Sequence, residues 1–438
     1  MMAVGAGLTL DEASKDTMLG IPYVPDLRQT LNVCRAQGGE KVKKALKKVG
    51  DYVLGDVLGE GAYGQVREGL LMREGDEKFG QRVAIKIISR RLLRKVRNGQ
   101  ENLKREIRCI KKVKHKNVIQ FYESIDEEER DKVYLVFELA NLFSVQDLCD
   151  IQKQLSATGQ GLKDPITNEV CTDGIPLTYA KILFSQLMDG LQACHSKGVA
   201  HRDIKPSNLQ LTSDGVLKII DFGVAETLDQ FDDLDDTTKF AGTPSFQPPE
   251  VAQGARTFSA TKVDIWAAGV TLYVMVVGSP PFTGDSVDEL YKNISKMEYK
   301  LPERGDEQLN DLIQGVMHPS PESRLSINDT LQHPWCETKD LPDMRELLEP
   351  LAHEEGKKKQ SLLRRYMEEM SDEEGETDET DEDTNNIDEF RLLNAEALSG
   401  KKTLQMPWVQ KNHQENQKSI ISRFQSNLAG SDNNCIIS

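Results

Sequence analysis

His201-Arg202-Asp203-Ile204-Lys205-Pro206-Ser207-Asn208, followed thirteen residues later by Asp221-Phe222-Gly223, is the stretch on which the fold turns. A helical pattern from Tyr179 to His195 runs into it, and a short apolar strand follows it. The residue types suit phosphoryl transfer. Asp203 can accept the proton of an incoming hydroxyl, and Lys205 can steady the transferring group. Asn208 and Asp221 present amide and carboxylate oxygens, the donors preferred by a hard cation such as Mg2+ (or Mn2+) that keeps part of its water.

Working outward, Gly59-Glu60-Gly61-Ala62-Tyr63-Gly64-Gln65-Val66 is a turn whose glycines let backbone amides approach phosphate. By itself the spacing also fits a dinucleotide turn. Here it joins strand to strand, and no helix opens after the third glycine, which disfavours that reading. Val83-Ala84-Ile85-Lys86 places a lysine on the next strand inside an apolar run. Burying a lysine is costly unless it meets an anion. ATP phosphates and Glu106, on a helix expected from Glu101 to Val113, are the natural partners. Pro248-Pro249-Glu250 follows Asp221 at the spacing of an activation segment. Any one of these motifs has a bland explanation; their order and spacing together do not.

The chain has 438 residues, 38% hydrophobic and 29% charged, with a formal net charge of -16. These values suit a globular chain. The acidic balance argues against nucleic acid as the main partner. The opening residues lack a basic region before an apolar core, so they do not read as a secretory signal. None of the seven cysteines forms a Cys-x-x-Cys pair, so zinc is not expected; the odd count and the lack of a secretory signal argue against a disulfide framework. Strands are expected near Val53–Leu58, Arg82–Ile88 and Val133–Phe137. Helices come later, which predicts an α+β fold with a small β-rich lobe before a larger helical one. Asp150 to Ile175, with its glycines, Pro165 and polar residues, reads as an irregular surface loop.

Taken together, Tyr52 to Trp335 resembles the protein kinase family. The resemblance implies a two-lobed protein kinase fold, with an N-lobe over 50–140 and a C-lobe over 141–337. It implies ATP and Mg2+ as cosubstrate and cofactor. ATP would meet Leu58, Gly59, Gly61, Gly64, Val66, Ala84, Lys86 and the backbone of Glu138 and Ala140. Glu106 should pair with Lys86, and Glu250 with Arg324. Asp264 should hold the catalytic loop, and Ile110, His201 and Phe222 should stack between the lobes. Gln210 stands where a leucine usually floors the adenine site. Lys205 and Ala241-Gly242-Thr243-Pro244 resemble the serine/threonine type, Thr243 contacting Asp203 and Lys205. The β-branched Val224 after Gly223 favours threonine over serine. A pseudokinase scaffold is disfavoured because Lys86, Asp203, Asn208 and Asp221 are all present. A calcium–calmodulin-group kinase lacks support, since no clear basic amphipathic helix follows Trp335.

Narrower stretches resemble the liver kinase B family: Arg97 to Ile107, Gly223-Val224-Ala225-Glu226, Ser245 to Gly254 and Lys262 to Tyr273. That resemblance implies AMP-activated protein kinase and its relatives as substrates. It also implies activation by a pseudokinase adaptor and a helical-repeat scaffold. Arg202 calls for a negative charge on the activation segment. Phosphate on Thr237 or Thr238 could supply it, or Asp232, Asp233, Asp235 and Asp236 could do so without modification; a solvated acidic loop is the plain alternative.

Outside this domain, 1–49 reads as flexible, with a basic run from Lys41 to Lys48 that fits either nuclear import or a solvated turn. Residues 338–370 read as a flanking helical segment and 371–395 as acidic and disordered. Residues 396–438 read as a polar tail. Its closing Cys435-Ile436-Ile437-Ser438 fits a farnesylation box, and Lys401, Lys402, Lys411, Lys418 and Arg423 could support reversible membrane association. Ser371, Thr377 and Thr380 precede acids and resemble acidophilic kinase sites. The expected location is cytoplasm and nucleus with a membrane fraction.

Overall fold

The computed structural model describes residues 47–61, 64–73, 75–96, 98–227, 236–237, 241–337 and 341–348. Six strands form the first sheet: β1 (Lys48–Val49), β2 (Tyr52–Gly61), β3 (Gly64–Leu71), β4 (Arg82–Ser89), β5 (Phe121–Glu127) and β6 (Lys132–Glu138). Their spatial order is β1-β2-β3-β4-β6-β5, and every pairing is antiparallel. Side chains alternate across a strand. Val83, Ile85 and Ile87 of β4 therefore enter one apolar cluster with Leu54, Tyr134 and Val136. Ala84 and Lys86 take the opposite face. The turn between β2 and β3 requires glycine at its exit, because a Cβ on Gly64 would sit 1.6 Å from the Ile87 carbonyl oxygen.

Two helices cross from β4 to β5: α1 (Arg90–Lys95) and α2 (Gly99–Lys112). Helix α2 buries Glu106, Cys109 and Ile110. Glu106 and Ile110 are four residues apart and so lie on one face. Ile110 and Val113 join the larger apolar core, which continues into the helical part of the chain.

That part contains α3 (Val145–Ala157), α4 (Leu177–Ser196), α5 (Pro249–Ala252), α6 (Ala260–Val277), α7 (Val287–Lys296), α8 (Glu307–Val316) and α9 (Ile327–Leu331). The short strands are β7 (Val199–Ala200), β8 (Leu209–Leu211), β9 (Leu217–Ile219), β10 (Glu226–Thr227), β11 (Asp236–Thr237) and β12 (Phe258–Ser259). Helix α6 is apolar on nearly all sides. It is long and apolar enough to cross a membrane, yet it lies in the core, with Trp266, Val270 and Leu272 fully buried. The β-rich region followed by a mostly helical one is the two-lobed arrangement expected from the sequence.

The Asp150–Ile175 segment differs in part from the surface loop expected. Its first residues complete α3, started by a capping box between Ser144 and Asp147. Leu148, Ile151 and Leu155 are fully buried along that helix. In the remainder Leu162, Cys171 and Ile175 are buried, while Lys163, 165–170, Thr172 and Asp173 are exposed, as expected of a surface loop. The Gln152 amide donates to the Cys171 carbonyl at 2.7 Å, and its oxygen accepts from the Leu162 N–H at 2.7 Å. Asp164 accepts from the N–H of Thr178 at 3.0 Å and of Ile166 at 3.0 Å. Two polar residues, Gln152 and Asp164, thus turn inward and satisfy backbone groups; Lys163, Thr167, Asn168, Glu169, Thr172 and Asp173 stay exposed.

The five described cysteines, Cys109, Cys149, Cys171, Cys194 and Cys336, are unpaired and buried. Beyond Trp335, a helical turn at 344–348 buries Met344 and Leu348. The basic run before Lys47, the acidic segment, Ser371, Thr377, Thr380 and Cys435 lie outside the described residues, as do Thr238, Asp232, Asp233 and Asp235. For Asp236 and Thr237 only the backbone is described.

Candidate active site

The face of the sheet opposite its apolar cluster holds the first group of functional side chains. Register aligns Val66 with Lys86, Gly59 with Val66, and Ala84 with Phe137. Leu58, next to Gly59, is 48% exposed. No atom lies within 4 Å of where a Cβ on Gly59 would be, so the strand carrying it borders open space. Lys86 Nζ donates to Glu106 Oε1 at 2.6 Å and to Asp221 Oδ1 at 3.4 Å. Burial alone would push the lysine's pKa down, but the two carboxylates outweigh it and hold the value above its ordinary range. The same contact, Lys86 first, holds Asp221 below the usual carboxylate range. Sheet, α2 and the Asp221 segment are thereby tied at one cation.

The second group sits on the loop between β7 and β8. Asp203 Oδ1 accepts from the Thr243 N–H at 2.9 Å and from Thr243 Oγ1 at 2.7 Å. Lys205 Nζ lies 2.8 Å from Asp203 Oδ2 and 2.7 Å from Thr243 Oγ1. The Asn208 amide nitrogen donates to the Asp203 carbonyl at 2.8 Å and to Asp203 Oδ2 at 2.9 Å. Gly242 makes the approach of Thr243 possible: it has φ +95°, and a Cβ there would lie 2.3 Å from the Arg202 carbonyl oxygen. A base, a cation and a hydroxyl-bearing loop thus meet without intervening protein.

Asp264, on buried α6, explains why the loop keeps this shape. Its carboxylate accepts from the N–H groups of His201 at 2.8 Å and Arg202 at 2.6 Å, and it contacts His195 Nε2 at 2.8 Å. Arg202 has φ +69°, a conformation that costs energy outside glycine, and these bonds compensate it. Burial raises the Asp264 pKa, but His195 and the backbone donors outweigh burial and depress it. A depressed carboxylate stabilises the fold fully above its unfolded value of about 4 and loses that effect as pH falls through the folded value. Asp264→Asn should therefore show a flatter loss of unfolding free energy than wild type between about pH 5 and 3. Parallel urea-melt profiles across that range would contradict this.

Ile110, His201 and Phe222 are buried between the lobes, the rings of His201 and Phe222 centred 4.9 Å apart. Glu250 and Arg324 form a two-pronged ion pair at 2.9 and 3.0 Å. The Glu138 carboxylate is held by Lys218 Nζ at 2.7 Å and the Gln120 N–H at 3.1 Å, and its own N–H donates to the Gln120 carbonyl at 2.8 Å. Gln210 lies on β8 opposite Lys218 between the buried Leu209 and Leu211.

One contact escaped sequence reading. The nearly buried Arg202 guanidinium is paired with Glu226, five residues after Asp221, at the start of β10. Next to it, Arg105 of α2 donates to the Ala225 carbonyl at 3.1 Å. Burial pulls the Arg202 pKa below its ordinary value although Glu226 and Asp264 oppose the shift; the group stays a cation at neutral pH. The signal available was Glu226 itself, the acid nearest the Asp-Phe-Gly stretch on its C-terminal side. Glu226→Gln should destabilise the chain by about 1–3 kcal/mol, with Glu226→Asp recovering part of the loss. Equal stabilities for wild type and Glu226→Gln in denaturant melts would show that the charge is immaterial.

A divalent cation fits this donor set. With its amide nitrogen committed to Asp203, Asn208 keeps its side-chain oxygen as an acceptor, and Asp221 is an ionised carboxylate. Among the described residues no group of three His, Cys, Asp or Glu could hold a metal by itself. Two protein oxygens leave the remaining positions for phosphate and water, as suits magnesium.

A β-rich lobe over a helical lobe, with a lysine–glutamate–aspartate triad facing an aspartate–lysine–asparagine loop, defines the phosphotransferase class that uses ATP and a divalent metal. Residues 52–336 match the protein kinase domain, and the chain belongs to the protein kinase family. It is 42% identical over 297 residues to "Serine/threonine-protein kinase stk11" of Xenopus laevis, covering 68% of this chain and 63% of that protein. It is 41% identical over 301 residues to "Serine/threonine-protein kinase STK11" of Homo sapiens, covering 68% and 64%. With "Serine/threonine-protein kinase par-4" of Caenorhabditis elegans it is 34% identical over 296 residues, covering 67% and 44%. These relatives are the group to which the liver kinase B resemblance points. The chain spans less than two thirds of the length of each of these three relatives.

Proposed function

We propose that the chain transfers the γ-phosphate of ATP to a threonine, or serine, hydroxyl of protein substrates. The observation that carries this is the convergence of Asp203, Lys205 and Thr243 within 2.9 Å contacts, together with the Lys86–Glu106–Asp221 triad. The bound metal, on Asn208 and Asp221, would supply charge neutralisation for the phosphates. Lys86 orients the phosphates. Asp203 takes the proton from the substrate hydroxyl, and Lys205 meets the charge on the transferred group. Thr243 offers a surface next to the base for the substrate residue. A scaffold without catalysis would have no use for this geometry.

Similarity to the STK11 relatives supports a narrower reading: phosphorylation of an activation-loop threonine in AMP-activated protein kinase and related kinases, in energy sensing and cell polarity. Val224 supports threonine, although one contact rarely decides more than about 1–3 kcal/mol. A pseudokinase adaptor and a helical-repeat scaffold are the proposed activators. Farnesylation of Cys435 is proposed to give a membrane-associated fraction beside cytoplasmic and nuclear pools; one lipid chain binds only reversibly. Equal membrane fractions for wild type and Cys435→Ser would remove that part.

The test is incubation of purified chain, magnesium and ATP with the kinase domain of AMP-activated protein kinase, with and without adaptor and scaffold. Asp203→Ala serves as the control for contaminants. Phosphothreonine that depends on adaptor and scaffold supports the narrow reading. Transfer to a generic substrate alone keeps the kinase and removes the pathway.

A further inference from the structure

Between Arg90 and Lys116 the chain carries twelve lysines and arginines against two acids, Glu101 and Glu106. This stands out in a chain with a formal net charge of -16. On α2 the basic residues are not scattered. Lys104, Arg108, Lys111 and Lys112 recur at helical spacing on the face turned away from the buried Glu106, Cys109 and Ile110, and all four are exposed. Lys111 lies over the Phe121 ring, 5.4 Å from its centroid. Among the described residues, Lys104, Arg108 and Lys112 have no carboxylate within ion-pair distance. Lys114 continues the exposed stripe past the helix end.

The compensating charge is concentrated elsewhere. Residues 371–389 hold eleven aspartates and glutamates and no lysine or arginine. The last described residue, Leu348, lies 23 positions before Ser371. A connector of that length spans about 35 Å if it keeps the helical character read for 338–370 and up to about 75 Å if extended. Where the connector can span to α2, tethering raises the effective concentration of the segment, to the order of millimolar for a flexible linker. Stripe and segment are opposite in sign and belong to one chain.

We propose that the acidic segment 371–389 docks along the basic stripe of α2. The contact is electrostatic and multivalent, so it weakens steeply with salt. Because α2 also carries Glu106, the segment would lie against the element that positions Lys86. Phosphate on Ser371, Thr377 or Thr380 would add nearly two negative charges each to the docked segment. The proposal does not depend on the catalytic reading, and its test reads proximity rather than activity.

The test uses the full chain, as a mixture of isotopically labelled and unlabelled protein, dilute and at low ionic strength. A zero-length carbodiimide joins lysine amines to carboxylates, and mass spectrometry maps the links. The expected result is links from Lys104, Lys111, Lys112 or Lys114 to carboxylates between Asp372 and Glu389 within single chains. They should fall at least tenfold in about 0.5 M salt, where screening acts within a few ångströms. Tail links should fall similarly at Lys111 and Lys114 in the triple variant K104E, R108E, K112E. Links only between labelled and unlabelled chains would assign the stripe to a second copy and overturn the proposal. So would links from these lysines to the carboxylates of 229–236 in place of the tail, or no links at all. Loss of every tail link when the chain pellets with phosphatidylserine vesicles would assign the stripe to the membrane and equally overturn it; retention of the links would support the tail.

Discussion

Asp203→Ala lowers kcat by about 10^2 to 10^4-fold, the usual contribution of a positioned general base, and leaves the KM for ATP within a few-fold of wild type. The split follows from where Asp203 sits. Its oxygens face Thr243, Lys205 and Asn208, and none of its contacts reaches Lys86, Val66 or the end of β6. Removing the carboxylate takes away the proton acceptor and releases Lys205 and Thr243, while the triad at Lys86 stays whole. Steady-state kinetics on a peptide substrate measure both constants. A kcat within tenfold of wild type would mean that Asp203 is not the base. A large rise in KM with kcat unchanged would assign it to binding instead.

The second large effect is on stability. Arg324→Met is expected to destabilise the chain by about 3–5 kcal/mol, because it leaves the mostly buried Glu250 as an unpaired charge. The Arg324 side chain is fully buried. Besides Glu250 it donates to the carbonyls of His318 at 3.0 Å and Lys262 at 2.8 Å, and it lies over the Trp266 ring at 5.1 Å. Losing a guanidinium here opens three acceptors at once, near α5 and the start of α6. Replacing both partners, Arg324→Met with Glu250→Gln, should recover part of the loss, since no buried charge then remains. Chemical denaturation of the two variants decides this; a single variant as stable as wild type would place the ion pair among those contributing nothing.

The two predictions depend on different kinds of information. Asp203 was legible from its neighbours in sequence, because Lys205 and Asn208 stand at fixed short offsets on one loop. Lys86 was legible because a lysine in an apolar strand needs an anion. Arg324 and Asp264 could be given partners only through resemblance, since those partners lie 74 and more than 60 residues away in the chain.

The Asp150–Ile175 segment keeps an exposed loop over most of 157–173, but part of it was misread because composition reports polarity without direction. Gln152 and Asp164 look solvent-facing in sequence, but they are buried and satisfy backbone groups. Glu226 went unassigned for a related reason. Nothing local shows that β10 pairs with β7 and so carries Glu226 to the guanidinium of Arg202.

By itself, the sequence determined the order of β-rich and helical regions, the catalytic and metal-binding residue types, and the concentration of opposite charge at 90–116 and 371–389. These depend on short-range periodicity, spacing and composition, which a linear chain displays directly. Only the tertiary structure decided which carboxylate neutralises Arg202, how Asp264 holds a left-handed Arg202, and which face of α2 remains exposed. Those outcomes depend on pairing between distant strands and on burial against a shared core. Both are set by the free energy of the whole fold rather than by any local stretch of chain.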